Sequence, residues 1–431
     1  MFGGDGSFRT LGRWETAVVL FTNQVGLGIL SLPNALRILG IVPGVIAIIG
    51  IGLLSTYTAY ELLQYWRAHP HVLNLVDMAK VLGGRPLQIV VGVSFVLNFA
   101  LTCASAGVTL SIALNTISEH AACTVLWIGL VMLVCWALCL PRTFKFVAKV
   151  GIPSTVSIVA AVLITTIGLG VTGPQGQPPG WEPEIVVAGN PTFRQGLSAC
   201  LNIAYAYAGN SGFVSVFTEM RDPSRDFVPA LTILQLASIS LYVVIAIAIY
   251  CLAGDLVTSP ALGSASVTVA KVAYGIALPA LLATGVVFAH CAIKYMYVVA
   301  LQAQHATHEA TRNTRRSWAT WVGCASAFWI VAFVLCNAIP AFSSILDVSS
   351  ALFIAWFTFG ISAVFYFDRL RTRKTWSRWD KGLLIPLNAV IICIALFMNG
   401  AGMWVAVVGL QEVFSQPGVE GPFTCADNSL F

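Results

Sequence analysis

Long apolar stretches alternate with short polar ones along nearly the whole chain. Eleven read as membrane-crossing helices, at about residues 14–38, 40–66, 86–116, 121–140, 145–171, 193–219, 227–253, 266–302, 319–340, 342–367 and 382–404. Some twenty apolar residues at ~1.5 Å rise each cross about 30 Å of hydrocarbon. The polar intervals predict loops. Residues 172–192, with Pro174, Pro178, Pro179, Pro183 and Pro191, predict an external connection. Asn74 to Leu82 reads either as a short amphipathic helix or as a structured loop. Residues 14–171 and 193–367 hold five spans each. Five is odd, so the second half starts from the opposite side of the membrane, an inverted repeat such as many secondary transporters use. The eleventh span lies outside the repeat.

Two spans are interrupted, each the first of its half. In the first, Thr22-Asn23-Gln24-Val25-Gly26-Leu27-Gly28-Ile29-Leu30-Ser31-Leu32-Pro33 crowds two glycines, an Asn-Gln pair and a proline into one helix. Each interior glycine costs about 1 kcal/mol, and Pro33 lacks a donor and clashes with the preceding turn. A continuous but kinked helix, its glycines allowing close packing, is the bland reading. The second interruption, Tyr205-Ala206-Tyr207-Ala208-Gly209-Asn210-Ser211-Gly212, favours a pair of broken helices.

Composition and charge agree. Hydrophobic residues make up 58% and charged residues 10% of the 431, against about 25% charged in soluble proteins. The expected fold is an all-α polytopic membrane protein. With the N-terminus in the cytoplasm, alternate loops on that side carry 19 of the 23 Lys and Arg residues, which the positive-inside rule favours. This gives a cytoplasmic segment 1–13, a first repeat 14–171, an external loop 172–192 and a second repeat 193–367. A basic cytoplasmic loop 368–381, an eleventh helix 382–404 and an external tail 405–431 complete it. No cleavable signal sequence is read at the N-terminus. The net charge of +5 lies mostly in these loops and implies no nucleic acid. Nine of the eleven cysteines lie in apolar stretches as small hydrophobes. Cys123 and Cys425 fall on the same external side, and nothing in the sequence requires or forbids a bridge between them.

An interrupted helix frees backbone groups at mid-membrane. Restarting amides suit an anion, and terminal carbonyls suit a cation, so two breaks can hold an amino acid zwitterion without a costly intramembrane charge. The candidate substrate residues are Thr22, Asn23, Val25, Gly26, Leu27, Gly28 and Ile29 with Tyr205, Ala206, Tyr207, Ala208, Gly209, Asn210 and Ser211. The carboxylate is expected around Val25 to Ile29 and the ammonium at carbonyls from Tyr205 to Ala208. Hydroxyls such as those of Thr22 and Ser211 have a bland alternative, bonding their own helix backbone. Glu15, Glu219, His290 and Lys294 are the candidates for coupling or gating. No metal motif, Walker sequence or nucleophile–base set appears, so no enzyme, metal or organic cofactor is expected.

The motifs Asn23-Gln24-Val25-Gly26-Leu27-Gly28-Ile29-Leu30-Ser31-Leu32-Pro33, Tyr205-Ala206-Tyr207-Ala208-Gly209-Asn210 and Glu219-Met220-Arg221-Asp222-Pro223 resemble those of the amino acid/auxin permease family. That family belongs to the amino acid–polyamine–organocation superfamily, and the likeness is to its fungal neutral amino acid permeases. The resemblance implies eleven spans in a five-plus-five inverted repeat of the LeuT-like kind, with helices 1 and 6 interrupted. It implies secondary transport of neutral L-amino acids into the cytoplasm by proton symport with alternating access, most readily at the plasma membrane rather than a vacuolar or lysosome-like one. Asn210 departs from the His that many relatives carry after the Ala-Gly pair. A sodium-coupled carrier, an exporter and a membrane amino acid sensor are the alternatives. The expected partners are a neutral amino acid and membrane lipid. The preferred side chain and the oligomeric state stay open, a monomer being compatible.

Overall fold

The computed structural model describes residues 11–142, 145–310, 312–339, 341–372, 380–415 and 421–429. Residues 1–10 of the expected N-terminal segment, 373–379 of the basic loop, and 416–420 and 430–431 of the tail lie outside the described residues. Among the described residues the chain is helical, with only two isolated β-bridges, Leu11–Met220 and Pro174–Ala265. The helices are α1 (Arg13–Gln24), α2 (Leu32–Leu39), α3 (Ile41–Ala68), α4 (Leu75–Ser118), α5 (Thr124–Cys139), α6 (Lys145–Thr172), α7 (Phe193–Ala206) and α8 (Asn210–Glu219). There follow α9 (Pro223–Ala253), α10 (Val267–Ala303), α11 (Arg315–Ala338), α12 (Phe342–Ser349), α13 (Ile361–Thr372), α14 (Ile385–Phe397) and α15 (Met403–Ser415). π-Helical stretches Ser350–Gly360, Asp380–Leu384 and Met398–Gly402 join the last of these into long rods.

Among the described residues eight helices are long and apolar enough to cross a membrane, nine when the bent pair Arg13–Gln24 and Leu27–Leu39 counts as one. The length criterion therefore yields fewer than the eleven spans expected. The other two expected spans are a 16-residue apolar helix, α5, and the pair α7 and α8 of 14 and 10 residues. Of the stretch Asn74 to Leu82, residues 75–82 form the first limb of α4, with Asn74 just ahead accepting from the Asp77 amide at 2.9 Å, and the helix leaves helical geometry at Gly83 and Gly84. The last helix runs on to Ser415, past the expected end at residue 404.

The chain divides into two compact units, each assembled from both halves of the sequence. The first holds Met1–Gly92, Val186–Ile247 and Ser350–Ala406. Its core includes Leu20, Leu36, Ile48, Leu62, Phe217 and Phe227, all fully buried. Arg13, Arg67 and Arg221 lie at one end of this unit. There the Leu11 amide donates to the Glu219 carbonyl (3.1 Å) and the Arg221 amide to the Leu11 carbonyl (3.0 Å). Arg13 pairs with Asp226 at 3.4 Å, and the Arg67 guanidinium donates to the Ser224 carbonyl. At the other end the α2–α3 turn needs a glycine: Gly40 has φ +85°, and a Cβ there would lie 2.4 Å from the Gly189 nitrogen.

The second unit holds Val93–Ile185, Ala248–Ser349 and Val407–Phe431. α6 and α10 pack along each other, closely enough that a Cβ on Gly168 would lie 2.4 Å from Val269 Cγ1. Small residues permit such approach in membrane bundles. Cys123 and Cys425, 302 residues apart, form a disulfide, which resolves a pairing that the sequence left open. Around it Thr124 donates to the Ala426 carbonyl (2.6 Å) and Asn115 to Asn428 (2.7 Å). The tail thereby rims a cavity of about 280 Å³ lined by Val108, Ile112, Ile128 and Phe423. Elsewhere in this unit Arg142 faces the rings of Tyr297 and Trp318 at 5.1 and 5.5 Å and donates to the Ala310 carbonyl at 2.7 Å.

Candidate functional site: two broken helices in one unit

The first break follows directly from its sequence. α1 ends at Gln24, Val25 turns extended, and the chain leaves helical geometry through Gly26 before a 3-10 turn, Leu27–Leu30. α2 restarts at Leu32 with Pro33 in its first turn, where a missing N–H costs no ladder bond. The two limbs are bent by 48°. The second break is shorter than the sequence suggested. α7 continues through Ala206, three residues form the turn, and α8 restarts at Asn210.

The breaks touch. A Cβ on Gly28 would lie 2.5 Å from Ala206 Cα, so only a hydrogen fits there. Gln24 and Ala206 are the last residues of α1 and α7, and helix ends leave carbonyls without ladder partners. The Tyr242 hydroxyl of α9, fully buried, lies 3.1 Å from the Gln24 carbonyl and 3.0 Å from that of Ala206. A hydroxyl carries one proton, so it fully satisfies one carbonyl at a time. The Gln24 side chain is tied to α9 as well, donating to Ser238 Oγ at 2.9 Å.

Asn210 braces the second break. It is fully buried, and its amide nitrogen lies 3.0 Å from Thr58 Oγ1, 3.1 Å from the Thr358 carbonyl and 3.2 Å from the Ser55 carbonyl. Ser55 in turn donates to the Tyr207 carbonyl at 3.3 Å. Gly52, one turn earlier on α3, sits where a Cβ would meet Ile239 and Tyr207 at 2.9 Å. That close approach lets α3 support the break from behind.

The remaining substrate candidates divide by accessibility. Thr22, Asn23, Gly26, Ala208 and Gly209 are half-buried, while Val25, Leu27, Gly28, Ile29, Tyr205, Ala206, Tyr207 and Ser211 are buried. Several groups are already engaged. Thr22 donates to the Val19 carbonyl of its own helix (2.9 Å), and the Ser211 hydroxyl lies 3.5 Å from the Ala208 carbonyl. The Val25 amide closes the last turn of α1 on Phe21 at 2.8 Å. The Ala208 amide donates to the Tyr205 carbonyl at 3.1 Å.

The coupling candidates are not gathered at the breaks. Glu15 is exposed and caps α1, accepting from the Gly12 amide at 2.7 Å. Glu219 is exposed at the end of α8. His290 and Lys294 belong to the second unit. His290 is buried beside Trp321, its ring 5.3 Å away, and its Nε2 donates to the Pro141 carbonyl at 3.1 Å. Lys294, one turn on, is exposed. Among the described residues no group of three or more His, Cys, Asp or Glu is arranged to hold a metal ion.

Sequence reasoning missed Ser55, Thr58, Gln235, Ser238 and Tyr242, and did not single out the Gln24 side chain. Ser55 and Thr58 are three apart on α3, and Gln235, Ser238 and Tyr242 are three and four apart on α9. A polar stripe at helical spacing through an apolar span was the available signal.

These features are those of a helical membrane protein with a polar site at paired helix breaks. The family model described as "Transmembrane amino acid transporter protein" matches residues 9–406, and the chain belongs to that family. It is 32% identical to the "N amino acid transport system protein" of Neurospora crassa, over 98% of this chain and 90% of the relative. It is 29% identical to proteins named "Transmembrane transporter" from Gibberella moniliformis and Fusarium pseudograminearum, over 98% of this chain and 89% of each relative. Family and relatives alike carry the names of transporters, not enzymes.

Proposed function

We propose that this chain is a secondary active transporter that carries neutral L-amino acids into the cytoplasm by proton symport with alternating access. The observation that carries the reading is the convergence of the Gln24 and Ala206 carbonyls where the two breaks meet. A primary ammonium has several donors and can serve both carbonyls, where one hydroxyl proton cannot. The substrate carboxylate goes to the amides of the 3-10 turn at Leu27 to Ile29, whose first donors lie outside the helix ladder.

The eleven-span inverted repeat belongs to the same reading. In it, spans one and two correspond to six and seven, and each such pair shares a unit: residues 1–92 and 186–247 fall together. The N-terminus is cytoplasmic and the C-terminus external, in the plasma membrane. The grouping of Arg13, Arg67 and Arg221 at one end of the first unit supports that orientation, as does the Cys123–Cys425 bridge, because disulfides persist on the oxidising side.

Purified protein in sealed vesicles tests this with labelled alanine, leucine and phenylalanine. An inward proton gradient should drive accumulation of at least one of them, with sodium replaced throughout. Accumulation under a sodium gradient alone would favour the sodium carrier. Binding without any transport would favour the sensor.

A further inference from the structure

Glu61 is buried, only 3% of its side chain being exposed, and its Oε2 accepts from Arg369 Nη2 at 2.6 Å. The pair joins α3 to the end of α13 inside the unit that holds both breaks. An ionisable pair buried within membrane-spanning helices is costly to desolvate, and a structural pair of this kind is a weak source of stability. Its position ties it to the site. Thr58, which meets the Asn210 amide at 3.0 Å, is one turn before Glu61 on the same helix. The Thr358 carbonyl, which meets the same amide at 3.1 Å, leads along the chain into α13 and Arg369. The restart of span six is thus linked through both flanking segments to the ion pair.

We infer that Glu61 is the proton-coupling carboxylate and Arg369 the cation that resets it, an assignment that rests on the proton-symport reading above. In the coupling step hydronium from the external side gives up one proton and becomes water, an O–H bond forms on the Glu61 carboxylate, and its ion pair with Arg369 parts. Arg369 keeps its own proton and turns to neighbours already in place. These are the Gln64 side-chain oxygen, 3.5 Å away, and the adjacent Asp368 carboxylate, which accepts from Tyr65 at 3.1 Å. On the cytoplasmic side the O–H bond breaks, the proton leaves to water, and the ion pair re-forms. The other groups around Glu61 suit this exchange. Tyr57 of α3 shares its surroundings with Glu61 and with Tyr366 and Arg369 of α13, and Tyr65 of α3 meets Asp368 of α13. α14 presents the neutral Asn388, which donates to Tyr57 at 2.6 Å, and the one ionisable side chain of α8, Glu219, is exposed.

The test compares wild-type protein with E61Q and E61D in vesicles, using labelled alanine, leucine and phenylalanine. Two arms are read: accumulation under an inward proton gradient, and counterflow exchange without one, across external pH. E61Q should keep measurable exchange with a flat pH profile, while its accumulation ratio falls to one. E61D should accumulate, with its pH profile displaced from wild type. E61Q accumulating like wild type overturns the assignment, as does folded E61Q losing exchange and accumulation together, which is what a purely structural pair predicts. If E61Q does not fold, E61D decides: an unshifted profile overturns the assignment. Wild type that accumulates only under a sodium gradient sinks the proton reading itself, a result distinct from failure of the Glu61 variants alone.

Discussion

The two breaks are built by different means. In span one the interruption comes from backbone: Val25 and Gly26 leave the helix, Gly28 lies against Ala206, and the Thr22 and Ser31 hydroxyls turn back to Val19 and Gly28 carbonyls of their own segment. In span six the interruption is held by side-chain hydrogen bonds, with its own Asn210 and with Ser55 of α3 fastening it to α3 and to the Thr358 carbonyl. A break made by absent side chains is sensitive to added volume. A break made by polar pins is sensitive to lost hydrogen bonds. The same local chemistry, free carbonyls at a helix end, is thus protected against opposite kinds of damage.

The largest expected effect is from Gly28→Val. The nearest atom to the new Cβ is Ala206 Cα at 2.5 Å, a backbone atom that cannot swing aside, so the breaks must separate. Loss of uptake and of substrate-induced thermal stabilisation is expected, with membrane insertion retained. Gly50→Ala is the control, since a Cβ there meets nothing within 4 Å, and it should behave as wild type. Normal substrate binding by Gly28→Val would mean that the contact between the breaks is dispensable.

Asn210→Ala comes next. It removes the amide from Thr58 and from the Ser55 and Thr358 carbonyls in a fully buried place, leaving Thr58 and the Ser55 carbonyl only their bond to each other and to their own helix. Leaving buried partners unsatisfied costs about 1–3 kcal/mol. Lower thermal stability of the purified protein with impaired uptake is expected, and an unchanged melting temperature would remove Asn210 as the brace.

The breaks themselves were legible in the sequence because glycine and proline act locally: Gly26, Gly28 and Pro33 announce a disrupted helix without tertiary information. What holds them was not. Tyr242 lies 36 residues from Ala206 and 218 from Gln24, and a tyrosine in an apolar span reads as lipid-facing or core until its hydroxyl finds a partner. Glu61 falls near the cytoplasmic end of its apolar stretch and its partner Arg369 in a basic loop, and charge counting assigns such residues to sides and not to contacts. Two of the eleven expected spans do not appear as long apolar helices, because α5 has 16 residues and the stretch of α7 and α8 is cut in two. The disulfide joins Cys123 to a tail cysteine 302 residues away, a separation that spacing cannot decode.

Tyr242→Phe probes the point where the two breaks share a donor. Removing the hydroxyl leaves both carbonyls bare in the empty protein, a loss of about 1 kcal/mol. If a substrate ammonium serves the same carbonyls, that deficit shrinks once substrate is bound. The melting temperature should therefore fall in the empty variant and recover when substrate is saturating. An equal deficit in both states would put the ammonium elsewhere.

The smallest effect is expected from Thr22→Ala, and it sharpens the contrast most directly. Thr22 is half-buried at the edge of the first break, where a substrate could reach it, but its hydroxyl already donates to the Val19 carbonyl at 2.9 Å. A hydroxyl spent on its own helix contributes little to a ligand, and a change away from buried partners stays within about 0.5 kcal/mol. Uptake measured across substrate concentration should then give a KM within about twofold of wild type, 0.5 kcal/mol being roughly that factor. A tenfold rise in KM would mean that the hydroxyl leaves Val19 when substrate arrives. Span one would then supply a side chain as well as backbone, and the division between a break shaped by glycine and a break pinned by polar groups would no longer hold.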